Sequence, residues 1–456
     1  MSTLNEPNPA TQAGIITSEH IDRYRRDFLE NPSHRVSMNA VTAGDLQNVA
    51  LNRDVVTETD FTCSTILDEW EVTNQKQSGR CWMFAAMNLF RVGAMKKMNL
   101  ANFEFSQNYT FFWDKFERAN WFLTQIIETA HLPLEDRMVA FLLAHPLDDG
   151  GQWNMFIDIV RKHGLVPQAA MPETISSSKS RGMNVQIIHK LREFARDLRS
   201  LHSTGAGADE LNTARENAMS VIWRMLTIHL GTPPTSFEWQ WNDKDRVFHR
   251  DGEMTPQSFA AKYVDLPLDD FVCLVHDPRE SSPFGKTFTV ERLGNVVGGE
   301  RVIYLNIEMD LMKSITKDVL ESGEPVWFGC DVGPQMHREL GLWDENLFEY
   351  EGIYGTPFAM DKAQRLEYHQ SAMTHAMLFT GVDVADGKPR RWRVENSWGS
   401  DRSGRKGYYT MNDSWFDQYM FEIAARKSML PAELQAALNE EPIMLPAWDP
   451  MGALAR

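Results

Sequence analysis

One stretch constrains the fold more than any other. Residues 81–98, CWMFAAMNLFRVGAMKKM, read as a helix that is apolar nearly all round, through Trp82, Met83, Phe84, Ala85, Ala86, Met87, Leu89, Phe90 and Val92. A helix without a polar face must be enclosed by other elements. A polar loop with one glycine, Gln75-Lys76-Gln77-Ser78-Gly79-Arg80, delivers Cys81 onto its first turn. The unsatisfied amides and the positive dipole end at that position favour a thiolate over a thiol. Gln75 lies six residues upstream, close enough for its amide to point at an oxyanion formed beside the sulfur. Taken alone, Cys81 reads first as a buried small residue that starts a core helix, since buried cysteine is common and inert.

The rest of the chain falls into helices first and strands later, which predicts an α+β fold. A helix is expected over Ser18–Leu29, then polar loop sequence to about residue 60, followed by helices over Phe105–Phe122 and Gln152–His163 with Gly164 as a C-terminal stop. The run Ser176–Gly182 reads as a surface loop. Ile187, Ile188, Leu191, Phe194, Ala195 and Leu198 stand at helical spacing, and a second amphipathic helix is expected over Ala208–Leu230. Thr255-Pro256 has the form of a helix start. The stretch 176–270 therefore reads as a helical insertion. Strands are expected after about residue 286, at Val302–Leu305, at Val326–Gly329 and in a hairpin, His375–Val382 and Arg391–Asn396, turning at Asp386-Gly387.

Composition narrows the function classes. The chain has 456 residues with 46 Lys+Arg against 63 Asp+Glu, a formal net charge of −17. Such a balance disfavours non-specific attraction to nucleic acid or anionic membrane. No window approaches about eighteen uninterrupted apolar residues, so no membrane-spanning helix is expected. Met1–His20 lacks a basic start followed by an apolar run, which predicts no secretory leader and a cytoplasmic protein. The four cysteines, at 63, 81, 273 and 330, form no CxxC pair and no cluster with histidine at zinc spacing. Neither a disulfide framework nor a structural metal is expected, and no cofactor is called for.

The hairpin supplies what a reactive cysteine needs. His375 lies near the free end of one strand and Asn396 at the matching end of its neighbour, and antiparallel pairing brings those ends together. A nucleophilic thiol requires a base for its proton and a third group to orient that base. Cys81, His375 and Asn396 provide the three roles in one chain. Singly, His375 would read as a satisfied strand histidine and Asn396 as a turn residue.

Gln75…Cys81-Trp82, Thr374-His375-Ala376 and Asn396-Ser397-Trp398-Gly399 resemble the active-site signature of papain-like cysteine peptidases. Asn74–Trp82 and the C-terminal Trp448-Asp449-Pro450-Met451-Gly452-Ala453-Leu454-Ala455 resemble the bleomycin hydrolase and aminopeptidase C branch, and the likeness runs from about residue 40 to the end. Papain-like enzymes usually place histidine about 130 or more residues after cysteine. Here the separation is 375 − 81 = 294, and the helical insertion, which this branch also carries, accounts for it.

The resemblance implies a two-lobed fold, with a helical lobe carrying the Cys helix and a β-barrel-like lobe carrying His375 and Asn396. The matching domain description is an N-terminal arm over 1–60 and a peptidase body over 61–456. It implies thiolate attack by Cys81 on an amide, with an oxyanion held by Gln75 and the Cys81 N–H. Gly150 and Gly151 would bind substrate through their backbone. The tail, residues 440–456, would reach the cleft, so that Ala455 and its carboxylate select peptides with a free amino terminus. It further implies a homohexamer acting on peptide substrates. Arg456 departs from that picture by placing a cation beside an ammonium site, and self-removal of Arg456 is the expected resolution. Amides such as bleomycin would follow the same chemistry. A non-catalytic scaffold and a nucleic-acid-binding protein remain the alternative readings; the intact Gln75, Cys81, His375 and Asn396 count against the first and the negative charge against the second.

Overall fold

The structure, a computed structural model, describes residues 14–67, 70–401 and 404–455. These form two compact units. The smaller unites the described residues 14–59 with 346–359. Its helices are Ser18–Glu30, Pro32–Ala43, Leu46–Ala50, Arg53–Glu58 and Tyr350–Tyr354. The two segments are joined by backbone bonds from Asn52 N–H to the Leu347 carbonyl and from Glu349 N–H to the Ala50 carbonyl, each 2.8 Å.

The larger unit carries the strands. In chain order these are β1 (Thr65–Ile66), β2 (Phe237–Asn242), β3 (Phe248–Met254), β4 (Phe271–Val275), β5 (Thr287–Val290), β6 (Tyr304–Asn306), β7 (Val326–Cys330), β8 (Met336–His337), β9 (Leu342–Trp343), β10 (His375–Ala385), β11 (Lys388–Glu395), β12 (Tyr408–Asn412), β13 (Met420–Arg426) and β14 (Ile443–Leu445). Twelve belong to one sheet in the order β14-β5-β6-β4-β13-β7-β10-β11-β12-β9-β8, with β1 added on β10, while β2 and β3 pair separately. The central strands are buried on both faces. Trp327, Ala376 and Leu378 project into one core, and Phe328, Met377 and Phe379 into the other. A strand covered on both sides reads as a continuous apolar run, which is how β7 and β10 read in the sequence.

The Cys81–Met98 helix lies in the first core with fourteen of its residues buried, ending at Asn99 in the left-handed conformation. Around it stand the helices Gln107–Glu128 and Trp153–His163, and the latter ends at Gly164 with φ 72°. The insertion contributes Arg181–Ser203 and Ala208–Leu230.

Three local expectations are corrected. The stretch from Leu29 to about residue 60 is not polar loop but holds the helices Pro32–Ala43, Leu46–Ala50 and Arg53–Glu58, whose first turns are capped by the Asn31, Asp45 and Asn52 side chains that composition alone reads as loop residues. Ser176–Gly182 is not a surface loop: Ile175–Ser178 is a short helix, Arg181 begins the next, and Ser177 and Ser180 are buried. The serines are satisfied inside, Ser177 Oγ donating to Glu173 at 2.8 Å and Ser180 Oγ to Asp149. Composition alone describes them as solvated because it does not show those carboxylates. The stretch 176–270 is also not purely helical, since it contains the β2–β3 hairpin. Phe237, Trp239 and Trp241 alternate along β2, and Trp239 packs edge-on to Phe103 and Phe259. That period of two is visible in the sequence.

Candidate active site

Cys81 is fully buried at the start of its helix, and the helix has no side-chain cap there. The backbone N–H groups of Ala376, Trp82 and Cys81 itself lie near its sulfur. The nearness of Ala376 sets Cys81 against the first residues of β10. Burial removes the hydration a thiolate would have and pushes the thiol up to about 12, although those three N–H groups pull the other way. At this helix end burial outweighs the N–H groups near the sulfur. A thiolate here needs a cationic partner.

His375 opens β10, opposite Cys330 of β7. Its Nε2 stands 2.9 Å from Asn396 Oδ1. The Ser397 backbone N–H donates to the same oxygen at 2.8 Å. Two donors converging on Oδ1 fix the orientation of the amide, and because an amide oxygen only accepts, Nε2 carries the proton. That tautomer assigns proton exchange with a thiol to Nδ1. Trp398 lies beside the imidazole with ring centroids 5.0 Å apart. The turn that brings it there passes Asn74 closely: Gly399 has φ 76°, and a Cβ there would stand 2.3 Å from the Asn74 amide nitrogen.

Gln75 is locked at both ends. Its Nε2 donates to the Ser78 carbonyl at 2.6 Å, and its Oε1 accepts from Ser397 Oγ at 2.6 Å. Its backbone N–H also donates to the Ser397 carbonyl at 2.8 Å. The second N–H of the amide is thereby held in one direction at low entropic cost, as an oxyanion donor requires. Ser397 was not singled out from the sequence, although it lies inside the Asn396–Gly399 motif.

Two buried carboxylates support the site and were also missed. Asp149 accepts from Lys115, Ser180, Asn184 and the Gly79 backbone N–H. Burial would raise its carboxyl, but the Lys115 ammonium and these donors outweigh that and hold it well below the usual carboxylate range. Its carbonyl accepts from Trp82 Nε1 at 2.8 Å. Asp149 thus ties the Cys81 loop to the adjoining Gly150-Gly151. Glu395, the residue before Asn396, accepts from Trp70 Nε1 at 2.6 Å, Arg91 Nη2 at 2.7 Å and Asn88 Nδ2 at 2.8 Å. Asn88 and Arg91 belong to the Cys81 helix, so this carboxylate links the helix bearing Cys81 to the strand leading into Asn396.

Gly150 and Gly151 lie where the C-terminal tail ends. The Gly151 N–H donates to the Ala455 carbonyl at 3.1 Å in an antiparallel bridge. Gln152 Nε2 donates to the Ala453 carbonyl at 2.5 Å. Gly151 sits flat on Trp82, and a Cβ there would fall 2.5 Å from the indole. Ala455 is fully buried; Arg456 lies outside the described residues. A cleft of about 550 Å³ runs between the tail, Met373-Thr374 just before His375, and a wall containing Trp121, Phe141 and Leu142. Among the described residues no group of three or more His, Cys, Asp or Glu side chains could hold a metal ion.

Comparison with known proteins places this geometry in a family. The model of the Peptidase C1-like family matches residues 15–452. The chain is similar to bleomycin hydrolase of Gallus gallus, 42% identical over 451 residues covering 97% of this chain and 99% of the relative. It is similar to aminopeptidase C of Lactobacillus delbrueckii subsp. lactis, 41% identical over 443 residues covering 96% and 98%. The crystal structure of PepW from Lactobacillus rhamnosis HN001 superposes with a TM-score of 0.95 at 45% identity, covering 97% of this chain and 100% of that one. With its cysteine helix against a histidine-bearing strand and a match along nearly its whole length, the chain belongs to the Peptidase C1-like family and has the papain-like fold.

Proposed function

We propose that the protein is a cysteine aminopeptidase that removes N-terminal residues from peptides. In this reading His375 takes the Cys81 proton through Nδ1, and the thiolate attacks the scissile carbonyl carbon while Asn396 holds the imidazolium. The oxyanion is met by Gln75 and the Cys81 N–H. His375 then gives its proton to the leaving amine, the C–N bond breaks and a thioester remains. Water attacks the thioester, losing a proton to His375, and the acid leaves with the thiol restored. The buried setting of Cys81 agrees with a sulfur that ionises only against an imidazolium.

The observation that carries the exopeptidase part is the Gly151–Ala455 bridge. An extended substrate would use the same backbone N–H, so the tail stands where further residues of a longer peptide would lie. A carboxylate at that end would receive the substrate ammonium. Removal of Arg456 by the enzyme itself would leave Ala455 as the terminus. Intact mass beside Cys81→Ala checks this: Arg456 present in both forms would refute it. A cytoplasmic homohexamer, and action on amides such as bleomycin, belong to the same proposal.

The test uses two fluorogenic amides of one amino acid, one with a free amino terminus and one acetylated. Cleavage of the free amine alone, lost in Cys81→Ala, is expected. Equal cleavage of both would remove the tail from the mechanism, and cleavage of neither would remove the catalytic assignment.

A further inference from the structure

The tail is held by contacts of unequal kind. β14 pairs in parallel with β5 over three residues, and two of its side chains, Ile443 and Met444, are exposed. Trp448 lies under the Arg137 guanidinium at 3.6 Å. The Gly151 and Gln152 contacts go to tail carbonyls. A backbone-directed contact of this type is satisfied again after a slip of two residues, and a stacked ring tolerates sliding. None of these specifies how far the tail reaches.

One contact does. Arg279, in the loop after β4, grips Asp449 through two parallel bonds, Nη1 to Oδ2 at 3.1 Å and Nη2 to Oδ1 at 2.9 Å. Both side chains are almost wholly buried, at 8% and 9% exposure. The other edge of the guanidinium is already fixed by Asp277, Nε to Oδ1 at 2.9 Å and Nη2 to Oδ2 at 2.7 Å. Asp277 is in turn fixed by Asn306, which accepts its backbone N–H and donates to its carbonyl, both at 2.9 Å. The fork is thus set by the body of the protein. On the tail side, Asp449 Oδ1 also accepts from the Met451 N–H at 2.9 Å, starting the turn Pro450–Gly452 that leads toward Ala455.

We propose that Arg279 and Asp449 form the register pin of the tail, a specificity-determining pair that sets where the chain ends in the cleft and so keeps the enzyme an exopeptidase. The inference rests on the proposed role of the tail. A planar fork on a carboxylate has one seating, unlike an ammonium or an apolar contact. With that seating lost, the tail slips or leaves, and substrates without a free amino terminus gain entry.

The test measures the ratio of kcat/KM for the acetylated amide to that for the free amine. Arg279→Met and Asp449→Asn should each raise this ratio about tenfold or more, with little further rise in the double variant. Arg279→Lys, which keeps the charge but not the fork, should fall between wild type and Arg279→Met. A purely structural role would lower both rates and leave the ratio alone. A chain stopped after Ala453 separates the two ideas. If its ratio does not rise, the tail reading falls and takes the pin with it. If its ratio rises while Arg279→Met and Asp449→Asn keep the wild-type ratio, the pin alone is overturned. Should Arg279→Met not be recovered folded, Asp449→Asn, which keeps the size of the side chain, decides the matter.

Discussion

Asp149 and Glu395 occupy comparable places on two sides of the candidate site, yet they respond to burial in opposite ways. Each is a carboxylate fed by donors from distant parts of the chain and placed beside a site residue. Asp149, whose side chain retains 11% exposure, is held well below the usual range once Lys115 is beside it. Glu395 is sealed completely, and its burial pushes the carboxyl above its ordinary value in spite of Arg91 and Trp70. Arg91 itself keeps Nε and Nη1 buried without a partner. Asp149 has four donors and Glu395 three, and Glu395 is the more completely enclosed of the two. Enclosure and the donor set together decide whether a buried carboxylate settles as a charge or is strained by it.

Breaking the sealed member should have the larger effect. Glu395→Ala leaves Arg91 as an uncompensated buried charge and should cost about 3–5 kcal/mol of stability. Because the strand leading into Asn396 loses its tie to the cysteine helix, kcat should also fall by about tenfold or more, seen in denaturant titration and steady-state kinetics on the same samples. Asp149→Asn is the milder break. It keeps the shape but leaves Lys115, whose ammonium still donates to the Asp148 carbonyl, without its carboxylate, and should cost about 3 kcal/mol. Its kinetic effect should fall on KM more than kcat, since it loosens Gly79 and Gly150-Gly151. An equal loss from both variants would erase the distinction.

The pH dependence of Tm sharpens the comparison with a smaller effect. Burial raises the Glu395 carboxyl in the fold above its ordinary value of about 4.5, so its contribution to stability falls as pH rises through the folded value. Asp149 is lowered below 3.8, so its contribution is present above that pH and is lost as pH falls toward the folded value. Glu395→Gln should therefore flatten the Tm profile on the side above about 4.5, and Asp149→Asn only below about 4. The same shift from both variants on one side would contradict the assignment.

Much of the candidate site was legible in the sequence because its signals are local. An all-apolar helix has nowhere to go but inside, and the expected Cys81–Met98 span is the observed one. The Asp386-Gly387 turn fixed the hairpin that brings His375 and Asn396 together. What was not legible depends on partners far along the chain. Ser180 and Asn184 read as insertion residues until Asp149 is found beneath them, and Glu395 reads as a lone charge in an apolar strand until Asn88 and Arg91 meet it. Residues 346–359 gave no sign that they would pack with the N-terminal helices. By contrast β2 was missed despite a readable alternation, since the long helix Ala208–Leu230 precedes the β2–β3 hairpin and the helix start at Thr255-Pro256 follows it.

The Gly151–Ala455 bridge has one more consequence. Its two halves belong to the same chain, so the tail meets the cleft as a tethered ligand whose effective concentration, on the order of millimolar for a short flexible connection, does not change when the protein is diluted. If the tail is the gate proposed above, it differs from one made by a second molecule, which would open on dilution, and goes wherever a single chain goes.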